Sequence, residues 1–158
     1  MCGIAGVVKY SQTENKINNV VLKRMSDVIV HRGPDDEGLW MDRDRTCGFS
    51  FRRLAIIDLS QAGHQPMHSN NGRYTIIFNG EIYNHSEIRK ELIKKGYDYK
   101  SKTDTETILN GYAEWNEEVL EKMLGMWAFA IWDNEKKELF AARDRLGIKP
   151  FYYTIQNG

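Results

Sequence analysis

Apolar residues in this chain come first in strand-length runs, then mainly at helical spacing through the middle, then in strand-length runs again, and that order restricts the fold more than any other feature. Sustained alternation of strand and helix, which would build a parallel sheet, is missing, so the pattern predicts a layered α+β fold. The first run, residues 3–8, reads as a buried strand ending in the polar stretch 9–15. Ile17, Val21, Met25, Val28 and Ile29 then share one helical face, and Gly33-Pro34-Asp35-Asp36 stops that helix in a loop. Strands are expected at 46–51, 53–58 and 73–79, with a polar loop at 60–72. Asn84 or Ser86 can cap a helix through Ile88, Leu92 and Ile93 to Gly96. Thr103 and Glu106 have capping-box spacing ahead of a second helical stripe, Ile108, Leu109 and Tyr112, and a short helix from 117 to 123 follows. Residues 126–132 and 139–142 pair as a hairpin through Asp133-Asn134, and 151–155 read as a last strand running into Asn157-Gly158. Asn-Gly favours a hairpin turn, so a return strand is expected in a longer protein from which this single domain, 1–158, is one part.

Charge narrows the functions. The chain has 22 Lys and Arg against 22 Asp and Glu, whereas a nucleic-acid surface or a polybasic membrane anchor needs basic excess. Its longest stretch free of Asp, Glu, Lys, Arg and His, 123–132, is ten residues, half of the roughly 20 that a membrane-spanning helix requires. The apolar run after Met1 has no basic residue before it and is too short for a secretory signal, so a cytoplasmic location is expected. In that reducing compartment Cys2 and Cys47 are expected to stay free thiols. With no Cys-x-x-Cys, no Cys/His cluster and no His-Glu-x-x-His motif among His31, His64, His68 and His85, no metal site is expected.

Cys2 follows the initiator methionine directly. Methionine is removed ahead of a small residue, which would leave a thiol and a free α-amine on one residue. An α-amine titrating near 7.7–8.0 can accept the proton of a thiol near 8.5, so nucleophile and base come together. A small buried residue opening a strand is the plainer reading of Cys2 taken alone. At the end of the strand 73–78, the Asn79 side-chain NH2 and the Gly80 backbone N–H can converge on one oxygen as an oxyanion hole, although Asn-Gly is also an ordinary hairpin turn with Glu81 an ordinary turn carboxylate. Arg52 and Arg53 fall on opposite faces of a strand, and the inward one needs a carboxylate, either a protein acid such as Asp58 or one on a substrate. Asp104 fits a helix N-cap or an acid at a pocket rim that holds a cationic amine. The Gly- and Pro-containing segments 31–38, 61–67 and 143–150 hold particular turns.

Together Met1-Cys2-Gly3-Ile4-Ala5-Gly6, residues 31–38, Arg53-Leu54-Ala55-Ile56-Ile57-Asp58, Asn79-Gly80-Glu81-Ile82-Tyr83-Asn84, Thr103-Asp104-Thr105-Glu106 and residues 143–150 closely resemble the class II glutamine amidotransferase domain, most of all the N-terminal, glutamine-hydrolysing half of asparagine synthetases. Six motifs in order, from Cys2 to about Tyr153, are far more specific than any one. The resemblance implies an N-terminal nucleophile hydrolase fold, a four-layer αββα sandwich with two antiparallel sheets. It implies Cys2 as nucleophile, its freed α-amine as base, and Asn79 and Gly80 as the oxyanion hole. It also implies L-glutamine as substrate, with Arg53 on the α-carboxylate, the backbone of Leu54, Ala55, Ile56 and Ile57 along the pocket, and Glu81 and Asp104 on the α-ammonium. No cofactor is implied for this domain. ATP and magnesium would serve a synthetase domain, absent here or on a separate chain, that receives the ammonia; a homodimer is possible in such a family. Two rivals are a hydrolase built on Cys47, which has no placed histidine, and a non-catalytic module kept for assembly or regulation of a synthetase partner.

Overall fold

The computed structural model describes residues 2–10, 16–55 and 61–156. In chain order the elements are β1 (Gly3–Val8), α1 (Asn19–Val28), β2 (Asp36–Met41), β3 (Cys47–Arg53), β4 (Met67–His68), β5 (Tyr74–Ile82), α2 (His85–Lys94), α3 (Asp104–Trp115), α4 (Val119–Lys122), β6 (Gly125–Asp133) and β7 (Glu138–Arg143). They build two antiparallel sheets, one in the order β1-β3-β2 and one in the order β4-β5-β6-β7.

Strand alternation sorts the apolar residues into layers. On β5 and β6, Tyr74, Ile76, Phe78, Trp127, Phe129 and Ile131 pack with Ile88, Leu92, Ile108 and Leu109 of α2 and α3. The intervening Ile77, Ala130 and Trp132 turn the other way and meet Cys47, Phe49 and Phe51 of β3, with Cys2, Ile4 and Val8 beside them. On the outer face of the first sheet, α1 lays Leu22 over Gly48, where a Cβ would come within 2.8 Å of Leu22. Helix, sheet, sheet and helix make the αββα sandwich, and its inner apolar seam is made by both sheets.

Capping explains where the helices start. Asn18 accepts the Val21 N–H at 3.0 Å ahead of α1, and Thr103 accepts the Glu106 N–H at 3.3 Å ahead of α3. Thr103 is therefore the cap, and Asp104 is the first helical residue rather than the cap. Glu106 does not complete the box. It accepts from the N–H groups of Lys100 and Ser101, each at 2.7 Å, and pins the approach to the helix. Gly96, at φ +95°, ends α2 in the left-handed conformation as its position suggested.

Several expectations are corrected. The segment after Pro34 is not all loop: β2 begins at Asp36 and pairs with β3 along its length. The runs at 46–51 and 53–58 are not two strands as far as the structure describes them; β3 carries through from Cys47 to Arg53. Asn79-Gly80 is no turn, because β5 continues past it to Ile82 against β6. On α1 the buried positions are Leu22 and Ser26, while Val21 and Val28 face outward. Residues 151–155 are not a strand; Tyr152, Tyr153 and Ile155 are exposed, and the stretch pairs with no strand among the described residues. Asn157, Gly158 and Asp58 lie outside the described residues.

Candidate active site

The two sheets bring Cys2, Arg53 and Asn79 together by continuing three apolar rows. Cys2 extends Ile4 and Val8, Arg53 extends Phe49 and Phe51, and Asn79 extends Ile77, so the seam turns polar at one end. The β1–β3 register, in which Gly3 faces Arg52, carries Cys2 alongside Arg53. There a cavity of about 160 Å³ is lined by Cys2, Arg53, Leu54, Asn79, Gly80, Glu81 and Asp104, with Gly63, Gln65, Thr105 and Lys149 completing the wall.

Cys2 donates its thiol to the Leu54 carbonyl across 3.7 Å. Burial pushes the thiol pKa above its ordinary value, with Asp104 adding to the effect and Arg53 opposing it. At neutral pH the group is a thiol, and reaction requires a base beside it.

The second feature is the edge of β5. Trp127, opposite Gly80, gives its N–H to Asp144 Oδ2 at 3.2 Å and takes the Asp144 N–H on its carbonyl at 2.7 Å, so Gly80 and Trp127 exchange no ladder bonds. The N–H groups of Phe78, Gly80 and Ile82 therefore all point away from β6. Gln65 Oε1 takes the Phe78 N–H at 2.6 Å and Asp104 Oδ2 takes the Ile82 N–H at 3.0 Å. Between them the Gly80 N–H faces the cavity. The Asn79 side chain, 5 % exposed, has no hydrogen-bond partner among the described residues and lines the same space. Gly80 must be glycine for another reason, since a Cβ would sit 2.4 Å from the Met126 carbonyl oxygen on β6.

Charges surround this pair. Arg53, 8 % exposed, packs its guanidinium on Gly63, where a Cβ would lie 2.2 Å from Nη2. Arg52, on the opposite face as alternation predicts, pairs outward with Asp27 at 2.9 Å and Glu37 at 3.1 Å. Asp104 is buried; its Oδ1 accepts the Thr105 N–H and its Oδ2 the Ile82 N–H, each at 3.0 Å. Burial raises its carboxyl pKa against the pull of those donors. Glu81 stands exposed at the rim.

Of the residues singled out in sequence, Leu54 is on the wall, Ala55 gives its N–H to Asp35 Oδ2 at 2.9 Å beside it, and Ile56 and Ile57 lie outside the described residues. Gln65, Thr105 and Lys149 lay within quoted motifs but were given no role of their own. Lys149, 2 % exposed, reaches the cavity because Asp144 gathers the N–H groups of Trp127, Leu146, Ile148 and Lys149 and folds 144–149 into a turn. Cys47 is buried between the sheets, and burial pushes its thiol pKa far up, away from nucleophilic use. No group of three or more His, Cys, Asp and Glu among the described residues could hold a metal, and none of their helices is long and apolar enough to cross a membrane.

The family model of the glutamine amidotransferase domain matches residues 1–158. The chain belongs to that family. Among relatives of this glutamine amidotransferase domain, asparagine synthetase [glutamine-hydrolyzing] 1 of Bacillus subtilis is 46 % identical over 158 residues, covering 99 % of this chain and 24 % of that protein. Asparagine synthetase [glutamine-hydrolyzing] 3 of the same organism is 42 % identical, covering 98 % and 25 %. The chain thus spans about a quarter of the length of these relatives. Glutamine phosphoribosylpyrophosphate amidotransferase from B. subtilis superposes with a TM-score of 0.57 at 20 % identity, over 68 % of this chain and 25 % of that one. The amidotransferase domain has the N-terminal nucleophile hydrolase fold that this superposition and its own layers show.

Proposed function

We propose that this domain hydrolyses the side-chain amide of L-glutamine to glutamate and ammonia, and that the ammonia serves ATP-dependent synthesis of asparagine from aspartate in a synthetase domain beyond these residues. The observation that carries the first half is the meeting, in one cavity, of the half-buried Cys2 thiol with the inward Gly80 N–H and the Asn79 amide, which has no partner among the described residues. The second half is supported by the names of the relatives that the domain matches.

In this reading Arg53 holds the α-carboxylate of glutamine bidentately, and Asp104 with Glu81 holds its α-ammonium. Excision of Met1 frees the α-amine of Cys2, which takes the thiol proton as sulfur attacks the side-chain carbonyl carbon. The carbonyl oxygen becomes an oxyanion and accepts hydrogen bonds from Gly80 N–H and Asn79 Nδ2–H, donors with no better partner in the resting site. Removing one such donor lowers turnover by about 10²–10³. The ammonium formed on Cys2 returns its proton to the leaving nitrogen, ammonia departs, and a γ-glutamyl thioester remains. Water, deprotonated by the same amine, attacks the thioester through a second tetrahedral oxyanion and releases glutamate with the thiol restored. ATP and magnesium enter only with the synthetase domain.

The test pairs intact mass with turnover. Protein lacking Met1 should gain one adduct from a glutamine-like electrophile, mapped to Cys2, and release glutamate from glutamine. Cys2→Ala should lose both with an unchanged melting temperature. Glutamate release by Cys2→Ala at the wild-type rate would overturn the proposal.

A further inference from the structure

β4 pairs with β5 for two residues only, Met67 with Ile76 and His68 with Thr75. Carried back, that register would set Gln65 opposite Phe78 and residue 63 opposite Gly80, closing the very edge on which the cavity opens. The backbone leaves the sheet instead before Met67, and residues 64–66 belong to no strand. The side chain of Gln65 replaces the missing strand residue. Buried at 4 % exposure, it accepts the Phe78 N–H on Oε1 at 2.6 Å and donates Nε2 to Thr105 Oγ1 of α3 at 3.3 Å. An N–H can only donate, so the amide orientation is fixed by Phe78.

Gln65 is itself clamped. A Cβ on Gly38 of β2 would lie 1.7 Å from the Gln65 carbonyl oxygen, so only glycine lets β2 approach this peptide. The neighbouring His64 holds Asp36, also on β2, at 2.7 Å. Segments 31–38 and 61–67, for which the hydrolysis mechanism has no direct use, thus meet at Gln65.

We infer that Gln65, seated by Gly38, is a positioning residue that fixes backbone 78–80 so that the Asn79 amide and the Gly80 N–H meet the oxyanion. The inference rests on the glutaminase reading above. Without an acceptor the buried Phe78 N–H turns toward any oxygen in reach, and rotation of that peptide re-aims the next residue's side chain and the N–H after it. Because the oxyanion exists only after attack, loss of Gln65 affects the transition state and leaves glutamine binding alone.

Gln65→Met removes both hydrogen bonds at similar length, Gly38→Ala displaces Gln65, and Thr105→Val cuts only the second anchor. Misplacement of this kind predicts kcat lower by about 10–100-fold in the first two, with KM within about twofold, and a smaller loss in the third. Glutamate γ-semialdehyde supplies the discriminating readout. The Cys2 thiol adds to its aldehyde carbon, the proton moves to oxygen, and that oxygen occupies the oxyanion position, so its affinity should fall by the same factor as kcat. Amide exchange at Phe78 should rise in Gln65→Met. Unchanged kcat and aldehyde affinity in a turning-over background overturn the inference alone, as does an equal loss of glutamine and aldehyde affinity, which a merely structural role would give. Absence of glutamate release by wild-type protein lacking Met1 overturns the glutaminase reading, and this inference with it. Should Gln65→Met fail to fold, the kcat-to-KM split in Thr105→Val decides.

Discussion

Asp104 serves two demands that pull against each other. Its oxygens are held by the N–H groups of Ile82 and Thr105, while burial disfavours its charge and raises its pKa above that of an ordinary aspartate. In its charged form it is a strong partner for an ammonium group because little water competes. As pH falls through the raised value the carboxyl takes a proton and the charge is lost, and under the proposed role glutamine binding weakens with it. KM for glutamine should therefore rise on the acid side at a pH above about 3.9, the ordinary aspartate value, while Asp104→Asn should show a high KM without that acid limb. A wild-type KM independent of pH down to about 4 would count against the assignment. At this scale Cys2, Arg53, Asn79, Gly80 and Asp104 were legible from residue type and motif order. Gln65 and Lys149 were not, because the glutamine is placed on the cavity wall by a bond to a residue 13 positions away and the lysine by a turn made by another side chain.

At the scale of elements, the turn 144–149 shows how one carboxylate shapes a segment. Burial would raise the Asp144 pKa, but the N–H groups of Lys149, Ile148, Trp127 and Leu146 outweigh it and hold the carboxyl below the usual range. Oδ1 takes two of these donors and Oδ2 the other two. Asp144→Asn puts an NH2 against two N–H groups. We expect it to lower stability by about 1–3 kcal/mol, read as a shifted urea midpoint at constant slope. Helices α2 and α3 and the β6–β7 hairpin were readable because their periodicity and turn residues agree. β2 was not: it opens on Asp36-Glu37-Gly38, residues poor in strand propensity, and it is strand only because β3 and α1 cover it. The tail at 151–155 has strand composition but pairs with no strand among the described residues.

The whole molecule should respond to acid in two steps. Burial and the neighbouring His64 charge lower the His68 pKa, so the unfolded chain binds this proton first, and stability declines as pH falls below about 6.5. Asp42, Asp133 and Asp144 have pKa values lowered by the donors around them despite burial, so their contribution is complete above about pH 4 and is lost as pH falls towards their folded values. Melting temperature against pH should show a shallow decline and then a steep one. His68→Phe should remove the first and keep the second. The αββα layering was legible only as an α+β class until the motifs named a family, because strand pairing between residues far apart in sequence leaves no local trace, as Gly3 opposite Arg52 illustrates. One further consequence follows from the alternation of β5, in which Ile76 and Phe78 face the helices while Ile77 and Asn79 face the opposite sheet. A single inserted or deleted codon between residues 74 and 79 would exchange the two sets, putting an amide into the hydrocarbon layer and an aromatic ring at the reaction centre. Lineages descended from this domain can therefore change those side chains one at a time but cannot change the length of the segment.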